Sequence, residues 1–235
     1  MDDSQLRRTL VIGERILALE GCESAVGGQV SARSPDGRGF WCTAFEYFSQ
    51  TQPDNVALLD WDMNVLAGRV RLAPAMRMHG AIYTQRTDVH AIVHLHSHYA
   101  TVLSSLSRPM GMFGVASVLF HGEQAVHADD GIRPHISVVD SLGDNRVVWI
   151  KNHGALLASQ TLEQAIVEAV TLEACARLDL DCTAAGGTEI SAAEVAAGRT
   201  SFRPHYITNM WLANLERIRV SEPELVRGAG QPGSA

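Results

Sequence analysis

Three histidines stand at alternate positions in one short segment, His94, His96 and His98, and a fourth, His153, sits in the run Lys151-Asn152-His153-Gly154. In an extended strand successive side chains point to opposite faces. His94 and His96 therefore share a face with Leu95 on the other, and two imidazoles one residue apart can hold a single metal ion. A His pair on a strand is equally compatible with a hydrogen-bonded pair that holds nothing, so the metal reading requires a third ligand. His153 qualifies: it follows directly on the apolar run 147–150, at a strand end, where the adjoining glycine permits a turn that aims the ring into a pocket. Three neutral imidazoles leave coordination positions open, as catalytic sites require.

The elements that must carry these residues are partly visible in the spacing of apolar groups. Residues 89–95 form a β-rich run, flanked by helical spacing over 76–86 (Met76, His79, Gly80, Tyr83) and by a helix start at 99–106. Upstream, Ser4 is placed to cap an amphipathic helix ending at Gly21. Short β-type runs at 29–32, 39–43 and 56–59, broken by Pro35-Asp36-Gly37 and Pro53-Asp54-Asn55, predict an antiparallel meander. Downstream, the runs 136–139 and 147–150, with Gly143-Asp144-Asn145 between them, predict a hairpin. Thr161 with Gln164 three residues on predicts a capping box opening a long helix whose buried stripe runs from Leu162 to Leu180. The Ala/Gly-rich stretch to Gly198 reads as a linker with a short helix, 204–219 as a last helix, and 221–235 as a mobile tail. A single domain over residues 1–220 is expected.

A chain of 235 residues with 46% hydrophobic and 19% charged residues has the material for one large buried core and is not a disordered or fibrous sequence. Its 19 Lys and Arg against 26 Asp and Glu, a net charge of −7 without a basic cluster, argue against nucleic acid or an anionic membrane as partner. No segment approaches 18 apolar residues and Met1-Asp2-Asp3-Ser4 opens no signal peptide, so a cytoplasmic location is expected. Cys22, Cys42, Cys175 and Cys182 fit neither a zinc knuckle nor a disulfide framework and read as reduced, mostly packed thiols.

Taken in order, Gly28-Gln29-Val30-Ser31-Ala32-Arg33, Met76-Arg77-Met78-His79, Val93-His94-Leu95-His96 followed by Ala100-Thr101, and Asn152-His153-Gly154-Ala155-Leu156-Leu157 resemble the class II aldolase/adducin family, over about residues 5–180. The resemblance implies a three-layer α/β/α sandwich around a mostly antiparallel central sheet. It also implies one divalent metal ion per chain (Zn, Mn, Fe or Co) on His94, His96 and His153, and a homotetramer with active sites between subunits.

The departures from that family narrow the chemistry. In its sugar-phosphate aldolases a Ser-Ser-Glu sequence leads to the matched histidine, and the Glu is the acid/base; this chain has Ala73-Pro74-Ala75, and alanine can neither move a proton nor bind a metal. Where those aldolases have Gly-Asn-x-Ser and Thr-Pro-Ser-Gly, Gly28-Gln29-Val30-Ser31 and Thr43-Ala44-Phe45-Glu46 stand here. Phe45 offers a phosphate only apolar surface and Glu46 only repulsion. A non-phosphorylated substrate and a reaction without a carboxylate base are therefore expected. Decarboxylation of a hydroxyaromatic acid such as a dihydroxyphthalate meets both conditions, because the departing carboxylate carries no proton to remove and a metal stabilises the charge left on the ring. The chain accordingly resembles the dihydroxyphthalate and hydroxypyridine-dicarboxylate decarboxylases of the family more than its sugar aldolases, which places it in aromatic compound catabolism. An aldolase for a non-phosphorylated substrate and a non-haem iron oxygenase on the same three histidines are the alternatives. A non-catalytic adducin-type module is disfavoured by the retention of all three histidines.

Further residues are candidates on chemical grounds. Phe45, Tyr47, Phe48 and Met76 suit a flat aromatic carboxylate, though each suits a core equally. A second substrate carboxylate needs a cation, for which Arg77, Arg33 and Arg203 are available, each also compatible with a structural ion pair. Protonation of the ring carbon needs an acid, from His98, His79, Glu46, Tyr206 or a metal-bound water. Tyr206, with His205, enters because C-terminal segments in this family can close a neighbour's site. His90, His121, His127 and His135 fall outside the motifs and are expected to be structural.

Overall fold

Between residues 29 and 67 short runs of β-forming residues alternate with turns, and each run folds back on the last. β1 (Gln29–Arg33), β2 (Gly39–Thr43), β3 (Val56–Asp60) and β4 (Val65–Ala67) pair antiparallel in succession. The computed structural model, which describes residues 1–128 and 134–227 apart from the side chains of 134–136 and 204, extends this meander into one eight-stranded sheet. β1 also pairs with β5 (Ala91–Leu95), and β8 (Gly154–Ser159), β7 (Val147–Ile150) and β6 (Gln124–His127) follow. The order is β4-β3-β2-β1-β5-β8-β7-β6, antiparallel throughout except between β6 and β7.

Strand alternation sorts the apolar side chains into two cores. Ala91, Val93 and Leu95 pack with Leu10, Ile166 and Trp149 beneath α1 (Asp3–Leu19), α3 (His98–Ser105), α5 (Leu162–Ala184) and α6 (Ala192–Ser221). Ile92, Phe40 and Leu156 pack on the opposite face with Met76 and Tyr83 of α2 (Met76–Gln85) and Val139 of α4 (Pro134–Leu142). The helix–sheet–helix layering implied by the family resemblance is thus present. Two positions after Ile92, His94 continues the α2-facing row, so a polar ring stands in line with a hydrophobic core. Among the described residues no helix is long and apolar enough to cross a membrane.

Several local expectations change. The cap of α1 is Asp2 rather than Ser4: its carboxylate accepts from the Gln5 N–H at 2.8 Å, and the Gln5 side chain returns the bond to the Asp2 N–H at 3.0 Å. Thr161 caps α5, but the Gln164 amide donates to Glu168 at 2.9 Å instead of closing a box. The run 136–139 belongs to helix α4, because Val138, Val139 and Leu142 form one buried stripe at helical spacing; the hairpin partner of β7 is β8. The expected linker is confined to residues 185–191, and α6 then runs without a break for 30 residues through position 204, opened by a Ser191/Glu194 capping box. The expected tail begins with packed structure. Pro223–Val226 form α7, Leu225 and Val226 are buried, and Glu222 pairs with the buried Arg15 at 3.0 Å; residues 228–235 lie outside the described residues. Cys22, Cys42, Cys175 and Cys182 are all free thiols.

One buried carboxyl makes the fold sensitive to pH. Glu14 of α1 is 1% exposed. Burial pushes its carboxyl up to about 8, against the opposing pull of the Thr43 and Thr51 hydroxyls and the Arg15 guanidinium, and its Oε2 atom has no hydrogen-bond partner. Folded Glu14 holds its proton more tightly than the unfolded chain does. Its contribution to stability is therefore complete below about pH 4.5 and is lost as the pH climbs through about 8. Glu14→Gln should unfold at the same temperature as the parent near pH 4.5 and roughly 5–10 °C higher at pH 9, read by calorimetry. Parallel decline of the two proteins would show that another group titrates.

Candidate metal centre

Two backbone crossings bring the histidines together. β5 pairs with β1, placing His94 opposite Gln29, and with β8, placing Leu95 opposite Ala155. β7 turns into β8 through residues 151–153, with Ile150 opposite Gly154 and Asn152 left-handed at φ 57°. Gly154 follows at φ 142°, and a Cβ there would stand 2.0 Å from the Leu95 carbonyl oxygen. Only glycine lets the start of β8 press against the end of β5, and this approach delivers His153 beside His94 and His96. A Cβ on Gly27 would likewise stand 2.4 Å from His96 Nδ1, so the loop before β1 forms one wall of the His96 ring.

One ring nitrogen from each of His94, His96 and His153 lies within 4.8 Å of the other two. The Nε2 atoms of His94 and His96 are 3.2 Å apart, close to the roughly 3.3 Å separating two nitrogens that each bind one tetrahedral ion at about 2.0–2.1 Å. Gln29 Oε1 accepts from His94 Nδ1 at 3.2 Å, which fixes the proton on Nδ1 and leaves the Nε2 lone pair for a ligand. Burial, reinforced by the neighbouring imidazoles, holds His94 well below its ordinary value and lowers His96 to about 4. Both are thus neutral, the form that binds metal. His94 is buried, His96 half-buried and His153 exposed, so the cluster opens to solvent on one side. The donor set and spacing fit a divalent ion with open positions.

Next to the cluster, His79 of α2 is fully buried. Its Nδ1 lies 2.7 Å from Ser31 Oγ, which lies 2.9 Å from the Tyr83 hydroxyl, while its Nε2 has no partner. Burial lowers His79 to about 3, so at neutral pH it carries no proton to donate as an imidazolium. His98 is exposed at the first residue of α3, its ring edge-on to Tyr99.

The other candidates have surroundings of their own. Glu46 accepts two bonds from the Asn55 amide, at 2.9 and 3.0 Å. The Tyr206 hydroxyl contacts Thr171 Oγ1 at 3.2 Å and its ring stacks on Phe202, a packing role between α5 and α6; His205 is exposed. Arg33 donates to the carbonyls of Tyr83, Arg86 and Val89, and Arg203 faces Glu123 at 3.5 Å. Arg77 is exposed and lines a separate surface cavity of about 320 Å³ with Trp61 and Met63. His90 and His121 are exposed, His127 Nδ1 is 3.0 Å from Ser141 Oγ, and the His135 side chain lies outside the described residues. Of the aromatic candidates, Phe48 and Met76 are core residues, Phe45 is half-buried and Tyr47 is exposed.

Two further residues escape a reading of the sequence alone. Gln29 reaches His94 only through the β1–β5 register. Arg71 is exposed, its guanidinium 5.2 Å from the centroid of the Phe45 ring, and its carbonyl accepts the Phe45 N–H at 2.8 Å. It makes no ion pair with a carboxylate among the described residues.

The sequence pattern of the family described as Class II Aldolase and Adducin N-terminal domain matches residues 8–180. A 4-hydroxy-3-prenylphenylpyruvate oxygenase/4-hydroxy-3-prenylbenzoate synthase from Streptomyces roseochromogenus subsp. oscitans is 27% identical over 188 residues, 74% of this chain and 66% of that protein. A 3,4-dihydroxyphthalate decarboxylase from Arthrobacter keyseri is 27% identical over 206 residues, 77% of this chain and 80% of that protein. Among solved structures, an L-fuculose 1-phosphate aldolase from Glaciozyma antarctica superposes with a TM-score of 0.84 at 25% identity, covering 93% of this chain and 91% of that one.

The geometry predicts that His153→Ala lowers bound zinc to a small fraction of the parent's, measured by elemental analysis, while the melting temperature of the metal-free protein stays near that of the parent. Gly154→Ala should lose both metal and stability, the latter by roughly 2 kcal/mol or more, because its Cβ meets backbone at a left-handed φ. A metal-replete His153→Ala protein would exclude His153 as a ligand.

Proposed function

The chain belongs to the class II aldolase and adducin family and is a carbon–carbon lyase, and from that premise we propose that it decarboxylates a hydroxyaromatic dicarboxylic acid such as a dihydroxyphthalate. The observation that carries this reading is a three-imidazole cluster without a carboxylate base: the residue at the start of α2 is Ala75, which offers no side-chain cap and no acid/base group. A reaction that begins by removing a proton from carbon lacks its base here, whereas loss of CO₂ needs none. The 27% identity to a 3,4-dihydroxyphthalate decarboxylase supports the same direction.

In this reading His94, His96 and His153 hold one divalent ion per chain, zinc, manganese, iron or cobalt, all of which accept imidazole nitrogen. An ion held there would supply a Lewis acid that stabilises the negative charge developing as CO₂ leaves. Gln29 orients His94, and the Tyr83–Ser31–His79 chain braces the adjacent interior. Phe45 offers a face for the aromatic ring, and Arg71 beside it receives the carboxylate that stays on the product. That pairing replaces Arg33, Arg77 and Arg203 in the role. His98, exposed two residues beyond His96, supplies the proton that takes the place of CO₂ on the ring carbon. The protein works as a cytoplasmic homotetramer with sites between subunits.

A second reading has a specific support. Three neutral imidazoles with open positions also suit redox iron, and a named oxygenase is 27% identical to this chain. An aldolase acting on a non-phosphorylated substrate is a third.

Gas exchange separates them. Incubated with dihydroxyphthalates and each metal in turn, the protein should release CO₂ without consuming O₂ and should leave ketose and aldose phosphates unchanged. Stoichiometric O₂ uptake, or efficient cleavage of a sugar phosphate, would overturn the proposal. Arg71→Gln should raise KM for dicarboxylates by roughly tenfold with kcat little changed, and should leave the KM of hydroxyaryl monocarboxylates unaltered.

A further inference from the structure

Glu173 lies in the middle of α5 and is 6% exposed, yet it forms no ion pair with a cation among the described residues. Its carboxylate instead gathers three hydrogen bonds at one place. Ser97 Oγ donates to Oε2 at 2.6 Å, the Ala100 N–H donates to Oε2 at 2.8 Å, and the Tyr99 N–H donates to Oε1 at 2.8 Å. These groups are the cap residue of α3 and two N–H groups of its first turn, the donors that a helix cannot satisfy from within. Ser97 makes no capping bond of its own, so the cap of α3 comes from another helix.

His96 is the residue before this cap. The β5–β8 ladder has its last pair at Leu95 and Ala155, so His96 has left the sheet, and one residue separates it from α3. Its ring is bounded by Gly27 on one side. The position of its backbone rests on Ser97 and the first turn of α3, and these rest on Glu173. We propose that Glu173 is a positioning residue of the metal centre: by capping α3 from α5 it fixes the His96-Ser97-His98 turn, and it sets a buried negative charge behind a cation site made of neutral ligands. The inference rests on the assignment of His94, His96 and His153 as ligands. The role calls for a carboxylate. A glutamine amide accepts through only one of its two terminal atoms, so Glu173→Gln turns an NH₂ donor against at least one of the three donors.

The test uses the full chain as parent, Glu173→Gln and Ser97→Ala. Zinc affinity is measured by chelator competition, the visible absorption of the cobalt-loaded protein reports ligand geometry, and unfolding is followed without metal. The expected result for folded Glu173→Gln is zinc affinity lower by roughly 10–100-fold and an altered cobalt spectrum. Ser97→Ala, which keeps both backbone bonds, should move in the same direction by roughly threefold or more and decides the matter should Glu173→Gln not fold. Variants that melt earlier but bind zinc as the parent does, with its cobalt spectrum, would reduce the cap to helix stability and overturn the proposal while leaving the metal site intact. Failure of the parent itself to bind zinc or cobalt would remove the ligand assignment and this inference with it.

Discussion

The close approach of Gly154 to the Leu95 carbonyl is the constraint on which the rest of the site depends. β5 and β8 are neighbouring antiparallel strands, and their last pair, Leu95 with Ala155, sits where one strand ends and the other begins. With no side chain at 154, the turn that precedes β8 comes down onto the end of β5, and His153 arrives next to His94, the last but one residue of that strand, and His96, the first residue beyond it. Any Cβ at 154 would lift that turn away. The sandwich therefore serves the centre mainly by bringing two strand ends into contact, and the cores above and below keep those ends from separating.

The centre is costly for the fold in a particular way. His94 and His79 place two neutral imidazoles in the interior beneath α2, and burial lowers both so far that neither gains a charge at neutral pH. Gln29 repays part of the desolvation of His94, and Ser31 part of that of His79, whereas His79 Nε2 stays without a partner. An unpaired buried nitrogen costs roughly 1–3 kcal/mol. The extensive apolar packing of two cores outweighs this, but local stability near the centre is the natural loss. The three hydrogen bonds at Glu173 oppose it, tying the segment after His96 to the longest-range framework available, the body of α5.

The sheet's first half was legible because turn residues punctuate it: Pro35-Asp36-Gly37 and Pro53-Asp54-Asn55 bracket runs that fold as β1 to β3 within a residue of their expected ends. β8 was not, since Gly154-Ala155-Leu156-Leu157-Ala158-Ser159 contains no β-branched residue and takes its extended form from burial between β5 and β7. The run at 136–139 misled for the opposite reason: Ile136, Val138 and Val139 favour strands, but the segment is helical, with Val138 and Val139 packed in the same core as Met76 and Tyr83 of α2. In the site the histidines declare themselves by alternation and by the glycine after His153. Their supports do not, because Gln29 is 65 residues from His94 and Glu173 lies 76 residues from Ser97. The arginines show the same limit. Sequence reports a cation, but whether Arg33 faces substrate or three backbone carbonyls is decided by its neighbours in space.

The absence of a carboxylate at position 75 and the acceptance of a dianionic substrate are, on the proposed reading, one electrostatic choice. Three neutral imidazoles would leave the double charge of a divalent ion uncancelled, while a glutamate among the ligands would cancel half of it and repel an incoming carboxylate. Deleting the base thus removes the route through proton abstraction and, by the same step, strengthens the field that an aromatic dicarboxylate requires. On the same reading Arg71, stacked on Phe45, would meet the second carboxylate. Glu173 carries a negative charge on the far side of the Ser97 cap, where it can steady the framework without occupying a coordination position. A lyase built this way keeps its carboxylate behind the site and its charge in front, the reverse of the arrangement needed to enolise a sugar phosphate.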